Sequence, residues 1–286
     1  MPQRERSKRR EGKSSFRYAG DTLKKRWDRL HQGDLEPWPE ESLIARLAKQ
    51  RPAVKSQVEA HGGGSVVARD LQDAWREFHA GDFRSAIEHG SALGALGATV
   101  ANKAAAVDSL YSKQREALIL QELDSAVKRG EEATKLLPEH ANAHYTFALV
   151  LGRYSQRITI LRALAEGLAG RVHSHLQRVL ALEPRHAEAH VALGLYHAEI
   201  INKLGSIVAS LTYGASRDKA IEHFQHAIKF APASPIIHME YANGLRLLDA
   251  ERFRAQIHSL YEQAAACEPA DAMERLDAAR AKQGVD

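Results

Sequence analysis

The chain has 286 residues, a net charge of +4 and 44% hydrophobic content, enough apolar material to bury a substantial core, which excludes a chain disordered throughout. Its single cysteine, Cys267, excludes an internal disulfide and a multi-cysteine metal cage and fits a reducing compartment. Alanine is frequent, prolines number only 9, and β-branched and aromatic residues never fall into alternating runs, so an all-α fold is expected.

In chain order, the first feature is charge. Residues 1 to 29 hold 11 Lys and Arg against 4 acidic residues, leaving 29 against 32 beyond, so the N-terminal stretch carries +7 and the body −3. The basic pI therefore belongs to an appended segment, and the folded body is not expected to track a phosphate backbone. Residues 1–20 read as a basic disordered arm; with Phe16, Tyr18 and Trp27 among the charges, residues 1–29 are the place for a nucleic-acid contact. No apolar leader core and no cysteine placed for lipid attachment follow Met1. The most apolar stretch, Ile200 to Leu211, is interrupted by Asn202 and Lys203 and falls short of the ~18–20 apolar residues of a membrane span. A cytoplasmic protein is expected.

Residues 21–61 read as an N-terminal helical segment. Within it Trp27-Asp-Arg-Leu-His-Gln-Gly-Asp-Leu35 anticipates Trp75-Arg-Glu-Phe-His-Ala-Gly-Asp-Phe83, 48 residues later, whose Gly81 and Asp82 end one helix and start the next. Residues 62–65 read as a Gly-rich linker, and residues 66–280 as one helical repeat domain. Gly90, Gly94 and Gly97 fall at helical spacing, suited to close helix packing. Beyond them Ala141 to Gly152 matches Ala187 to Ala198, with a looser copy from Pro235, and the three copies share His144, His190 and His238 at spacings of 46 and 48 residues. Each copy follows an amphipathic helix stopped by a proline: Pro138, Pro184 and Pro232. A proline just past a helix end forbids continuation and turns the chain, so each unit is a helical hairpin.

The order His190, Leu193, Gly194, Ala220, Phe224, Ala227 and Pro232 resembles the tetratricopeptide repeat. That repeat has about 34 residues, and here about a dozen more sit between the paired helices, near Arg153 to Arg171 and Ile201 to Arg217. Elongated units with Leu151-Gly152-Arg153 closing one helix and Leu211-Thr-Tyr-Gly214 preceding another resemble the regulator of microtubule dynamics family and its bacterial relatives, over residues 125 to 270. The resemblance implies a tetratricopeptide-like helical-hairpin solenoid with elongated repeats. A similar fold occurs in the T-component of tripartite transporters.

Nothing in the sequence combines acid, base, nucleophile and metal ligand as an enzyme would, and no cofactor or metal is expected. His186 and His190 at i, i+4 and His223 and His226 at i, i+3 read as packing or solvated residues, and Cys267 as packing. Gly62 to Gly64 lack the Lys-Ser or Lys-Thr of a phosphate loop. The function expected is a non-enzymatic scaffold that binds a partner helix or peptide on the groove face of the repeats. The repeat's groove positions are Asn142, Tyr145, Leu149 and Arg153 in one unit, Glu188, Val191, Leu195 and Glu199 in the next, and Met239, Asn243 and Arg246 in the third. The paired Lys and Asn of a carboxylate clamp are missing from the first two units, which disfavours a chaperone-tail adaptor. Two alternatives from other classes stand beside the scaffold: a carrier of a small apolar ligand enclosed by the inserts, and a nucleic-acid adaptor acting through the basic arm.

Overall fold

The computed structural model describes residues 16–49 and 51–285, and among these it contains sixteen α-helices and no strand. Three short helices come first: α1 (Thr22–Leu30), α2 (Glu41–Ala48) and α3 (Pro52–Ala60). A first hairpin pairs α4 (Gly64–Ala80) with α5 (Phe83–Ala92), and a 3₁₀ turn, Gly94–Gly97, leads into a second built from α6 (Ala98–Tyr111) and α7 (Glu116–Leu136). Two elongated units follow. In one, α8 (Ala141–Ser155) packs on α10 (Leu168–Leu182) with the short α9 (Ile160–Ala165) between them. In the other, α11 (Ala187–Leu204) packs on α13 (Arg217–Phe230), with α12 (Ser206–Tyr213) inserted. The chain ends with α14 (Pro235–Asp249), α15 (Arg254–Ala266) and α16 (Ala272–Val285).

The helix stops are those the prolines require: α7, α10 and α13 end at Leu136, Leu182 and Phe230, within two residues of Pro138, Pro184 and Pro232. A hydrogen bond recurs at each turn. The Nε2 atoms of His144, His190 and His238 lie 3.0, 3.1 and 2.7 Å from the carbonyls of Pro138, Pro184 and Pro232. The shared histidines thus tie each new helix to the turn that precedes it, giving the carbonyl of the turn proline a partner. Packing is close where the repeat glycines sit. The fully buried Phe224 ring lies between α11 and α14, where a Cβ at Gly194 or at Gly244 would run into it. Gly90 and Gly97 likewise bring their backbones together, although Gly94 to Gly97 is a 3₁₀ turn rather than part of an α-helix.

The expected separation of residues 62–65 from the body is corrected. Gly62 and Gly63 adopt φ of +88° and +102°, and their amides bond to the Glu59 and Val58 carbonyls, so the glycines close a tight helix-to-helix turn and Gly64 already opens α4. Leu23, Trp27, Ile44 and Val54 share one buried cluster with Trp75, Phe78 and Ala143, so residues 21–61 are part of the repeat core. Of the expected disordered arm, residues 1–15 lie outside the described residues. Residues 16–20 are docked, with the Tyr18 hydroxyl donating to the Ala270 carbonyl and the Arg76 guanidinium donating to the carbonyls of Tyr18 and Gly20.

The last helix folds back onto the first elements. Arg29 donates to both Glu274 oxygens at 2.7 and 3.0 Å, and α16 packs on α14, α15 and α4. The C-terminal helix therefore contacts the beginning of the array.

Candidate functional site

The N-terminal halves of α8 and α11, which present Asn142, Tyr145 and Glu188, are covered by the chain itself. The turn after α1, His31 to Glu36, lies against them: Asn142 donates its amide to the Asp34 carbonyl at 2.8 Å, and the Glu188 amide donates to the Gly33 carbonyl at 2.9 Å. A Cβ on Gly33 would sit 3.0 Å from the Glu188 side chain, so the close approach depends on glycine. Leu35 turns the segment with φ of +51°, rare for a residue with a branched side chain.

Beneath this segment is a buried charge network. Lys103, on α6 and only 3% exposed, donates to the Asp34 carboxylate and to Glu188 Oε1 at 3.0 Å. Burial pushes the Asp34 carboxyl up, but Lys103 and His31 outweigh it and hold the group far below the ordinary carboxylate range. Burial also depresses the Lys103 ammonium, and Asp34 and Glu188 more than reverse this. Asp34 also meets His31 Nδ1 at 2.9 Å, and His31 meets His79 at 3.3 Å between Nε2 atoms, with Asp271 on His79 Nδ1 at 2.8 Å. The sequence echo is thus a contact in space: Trp27 and Trp75 cross edge to face at 5.8 Å beside this histidine pair. Glu36, buried and beside Asp34, is pushed up to about 8. Every ion in such a site needs its partner, because desolvation of each is costly.

The C-terminal halves of the same two helices are open. Leu149, Arg153, Leu195 and Glu199 line a cavity of about 190 Å³ with Leu164, Leu168, Leu176 and Ile200 as its apolar wall. The two inserts flank the cavity. α9 exposes Ile160, Leu161 and Leu164, and α12 exposes Ile207, Val208 and Leu211, with Leu161 80% and Leu211 83% accessible. On each insert these residues fall at i, i+1 and i+4, an apolar helix face turned to solvent. The rim is polar and mixed in sign: Glu199 accepts from Gln156 at 3.0 Å and from Lys203 at 3.1 Å, and Arg153 lies 3.6 Å from Glu240.

The predicted groove residues therefore separate. Leu149, Arg153, Leu195 and Glu199 come together around the cavity; Asn142 and Glu188 are bonded to residues 33–34, and Tyr145 is a core position packed with Leu176 and Leu193. Val191 and Met239 are corrected to core positions within the cluster around Phe224 and Tyr241. Asn243 is taken up by Glu240 and Tyr261, and Arg246 is exposed with its guanidinium 5.0 Å above the Tyr261 ring. The sequence signal for the exposed insert residues is the run of Ile, Leu and Val among Gly and Ser near 158–168 and 204–214. His186 is no ligand: it caps α11, accepting from the Ala189 amide at 3.0 Å, and its other nitrogen meets Asn142 Oδ1 at 2.9 Å. Cys267 is half buried, burial pushes its thiol up, and it donates to the Gln263 carbonyl at 3.3 Å. No described helix is long and apolar enough to cross a membrane.

No curated protein matches the chain. A solved structure of a thermophilic tetratricopeptide-repeat protein from Thermus thermophilus superposes with a TM-score of 0.54 at 16% identity, covering 76% of this chain and 99% of that one. This likeness establishes the tetratricopeptide-like fold. Residues 98–245, just over half of the chain and spanning α6 to α14, match the family described as regulator of microtubule dynamics protein 1-3, and the chain belongs to that family.

Proposed function

We propose that the protein is a non-enzymatic cytoplasmic scaffold that seats an amphipathic helix of a partner protein in the trough between α9 and α12. The observation that carries this reading is the exposed apolar surface of the two inserts, three Ile, Leu or Val residues on each, beside a cavity that Ile160, Leu164, Leu149 and Leu195 line. Burying such residues on a partner releases roughly 1.5–3 kcal/mol each when the burial is full, enough for a few anchors to decide affinity. Volume favours a protein occupant over a carried ligand. At about 190 Å³ the cavity is smaller than the ~300–1,000 Å³ of a small-molecule site and close to the ~150 Å³ that holds one benzene-sized group, the size of a single Leu or Phe anchor. The mixed-sign rim of Arg153, Glu199 and Lys203 suits the polar edge of a helix better than a uniformly charged ligand.

Site-specific photocrosslinking in the native cell tests this. With a photoreactive residue at Leu161 or at Leu211, both positions are expected to capture the same partner through a helical segment, with loss of capture on Leu195→Asp while the fold persists. Capture of lipid alone would contradict the reading, as would capture that is unchanged by Leu195→Asp or no stronger than at exposed Lys25.

A further inference from the structure

We propose that His190, His223 and His226 form a three-imidazole site for a zinc-type divalent metal ion. One donor nitrogen from each ring lies within 4.8 Å of the other two. His190, on α11, is already oriented for the task. Its Nε2 faces the Pro184 carbonyl at 3.1 Å, so that nitrogen carries the proton and Nδ1 presents a lone pair. A backbone carbonyl behind the distal nitrogen is the usual means of fixing a metal-binding imidazole. The lone pair faces α13: His223 Nδ1 is 2.9 Å away, and the His226 ring, three residues further along α13, lies 5.0 Å from the His190 ring between centroids.

Tetrahedral zinc with Zn–N of about 2.0–2.1 Å holds its nitrogens roughly 3.3 Å apart. One pair is therefore near that spacing without a metal, and side-chain rotation of half-buried His223 and His226 closes the rest, while buried His190 stays in place. Binding exchanges the proton on His223 Nδ1 for the metal, and the proton leaves to solvent. Imidazole donors without thiolate or carboxylate suit zinc, nickel or copper and not calcium or magnesium. A fourth imidazole lies close by: His197 stacks on His223 at 5.9 Å, and its buried Nδ1 has no hydrogen-bond partner.

The preceding unit supplies an internal control. There His144 faces the Pro138 carbonyl at 3.0 Å and His175 at 2.8 Å, the same pair in the same place. The residue three positions after His175 is Arg178, tied to Glu139 at 2.6 Å. The paired imidazoles are thus a packing device of the repeat, and the third imidazole is particular to the α11–α13 unit.

The test uses the full-length chain without a polyhistidine tag, treated with chelator and titrated with Co²⁺ and Zn²⁺. One equivalent of Co²⁺ is expected to bind with the visible absorption of a low-coordinate site, and Zn²⁺ to displace it. His226→Ala and the bulkier His226→Gln, with unchanged melting of the apo protein, are expected to weaken binding by at least the ~10–100-fold that loss of an outer-shell partner costs. His175→Ala is expected to leave it unchanged. Absence of binding, binding indifferent to both His226 variants, or equal weakening by His175→Ala would overturn the site.

Discussion

The two halves of α8 and α11 carry the same repeat positions and meet opposite fates. Toward their N-termini, Asn142 and Glu188 are buried and bonded to residues 31–36, Glu188 also to Lys103, and Tyr145 is buried beside Glu188. Toward their C-termini, Leu149, Leu195 and the flanking inserts are apolar and open. In the covered half Asn142 and Glu188 are satisfied by backbone of residues 33–34, and in the open half Leu149 and Leu195 line a cavity. A repeat position therefore says where a side chain points along the array, and a segment remote in sequence decides whether that position is free.

The largest effect should come from breaking the sealed half. Lys103→Met leaves Asp34 and Glu188 buried without their shared cation, and urea unfolding is expected to show a loss of about 3–5 kcal/mol. A loss below about 1 kcal/mol would mean that water already reaches the network. Gly33→Ala probes the approach of residues 31–36 without touching a charge. Its Cβ would meet the Glu188 side chain at 3.0 Å, and a cost of about 1–3 kcal/mol is expected by the same measurement.

The pH dependence separates buried imidazoles from buried carboxyls. Burial lowers His31, His140, His175, His197 and His223 to about 4 and His186 to about 3. In the unfolded chain these groups take up protons near 6.5, so the stability they contribute is present above that pH and lost as pH falls toward 4. Glu36 and Asp277, raised to about 8 mainly by burial, act in the opposite sense. The unfolded chain releases their protons near 4, so stability falls as pH rises through 8. Six imidazoles outweigh two carboxyls on the acid side, and thermal melting should be highest near pH 6.5. Asp277, which accepts from the Tyr111 hydroxyl and leaves Oδ2 unpaired, sets much of the alkaline limb. Asp277→Asn should flatten the decline between pH 6.5 and 8; an unchanged decline would place the titrating group elsewhere.

The smallest effect on stability belongs to the open half. Leu161→Ser with Leu211→Ser removes two of its most exposed apolar residues, and unfolding free energy should stay within about 0.5 kcal/mol while partner capture at the inserts disappears. A large loss of stability would show that the inserts are part of the core.

The hairpins were legible because each leaves a local mark: a 3.6-residue stripe, a proline stop and a shared histidine. The same periodicity put Leu149, Arg153, Leu195 and Glu199 on one face, and all four line the cavity. The cover over Asn142 and Glu188 was not, because the bond from Gly33 to Glu188 joins residues 155 positions apart and leaves no periodic trace. The Trp27-to-Asp34 echo of Trp75-to-Asp82 marks the meeting of Trp27 with Trp75 and not the bond to Glu188. Glycines 62 and 63 misled for a physical reason: a run of glycine signals backbone conformations closed to other residues, and here they serve a tight turn. The third imidazole at His190 was hidden because His223 and His226 reach it from another helix.

Hydrogen exchange along the full-length chain, read by mass spectrometry without added partner, tests the contrast between the two halves most directly. Residues 31–36 should exchange as slowly as the α8 and α11 helices they cover, and residues 159–167 and 205–214 should exchange far faster. Rapid exchange at 31–36 with the helices still protected would contradict it, because the polar half of the groove would then be free for a partner.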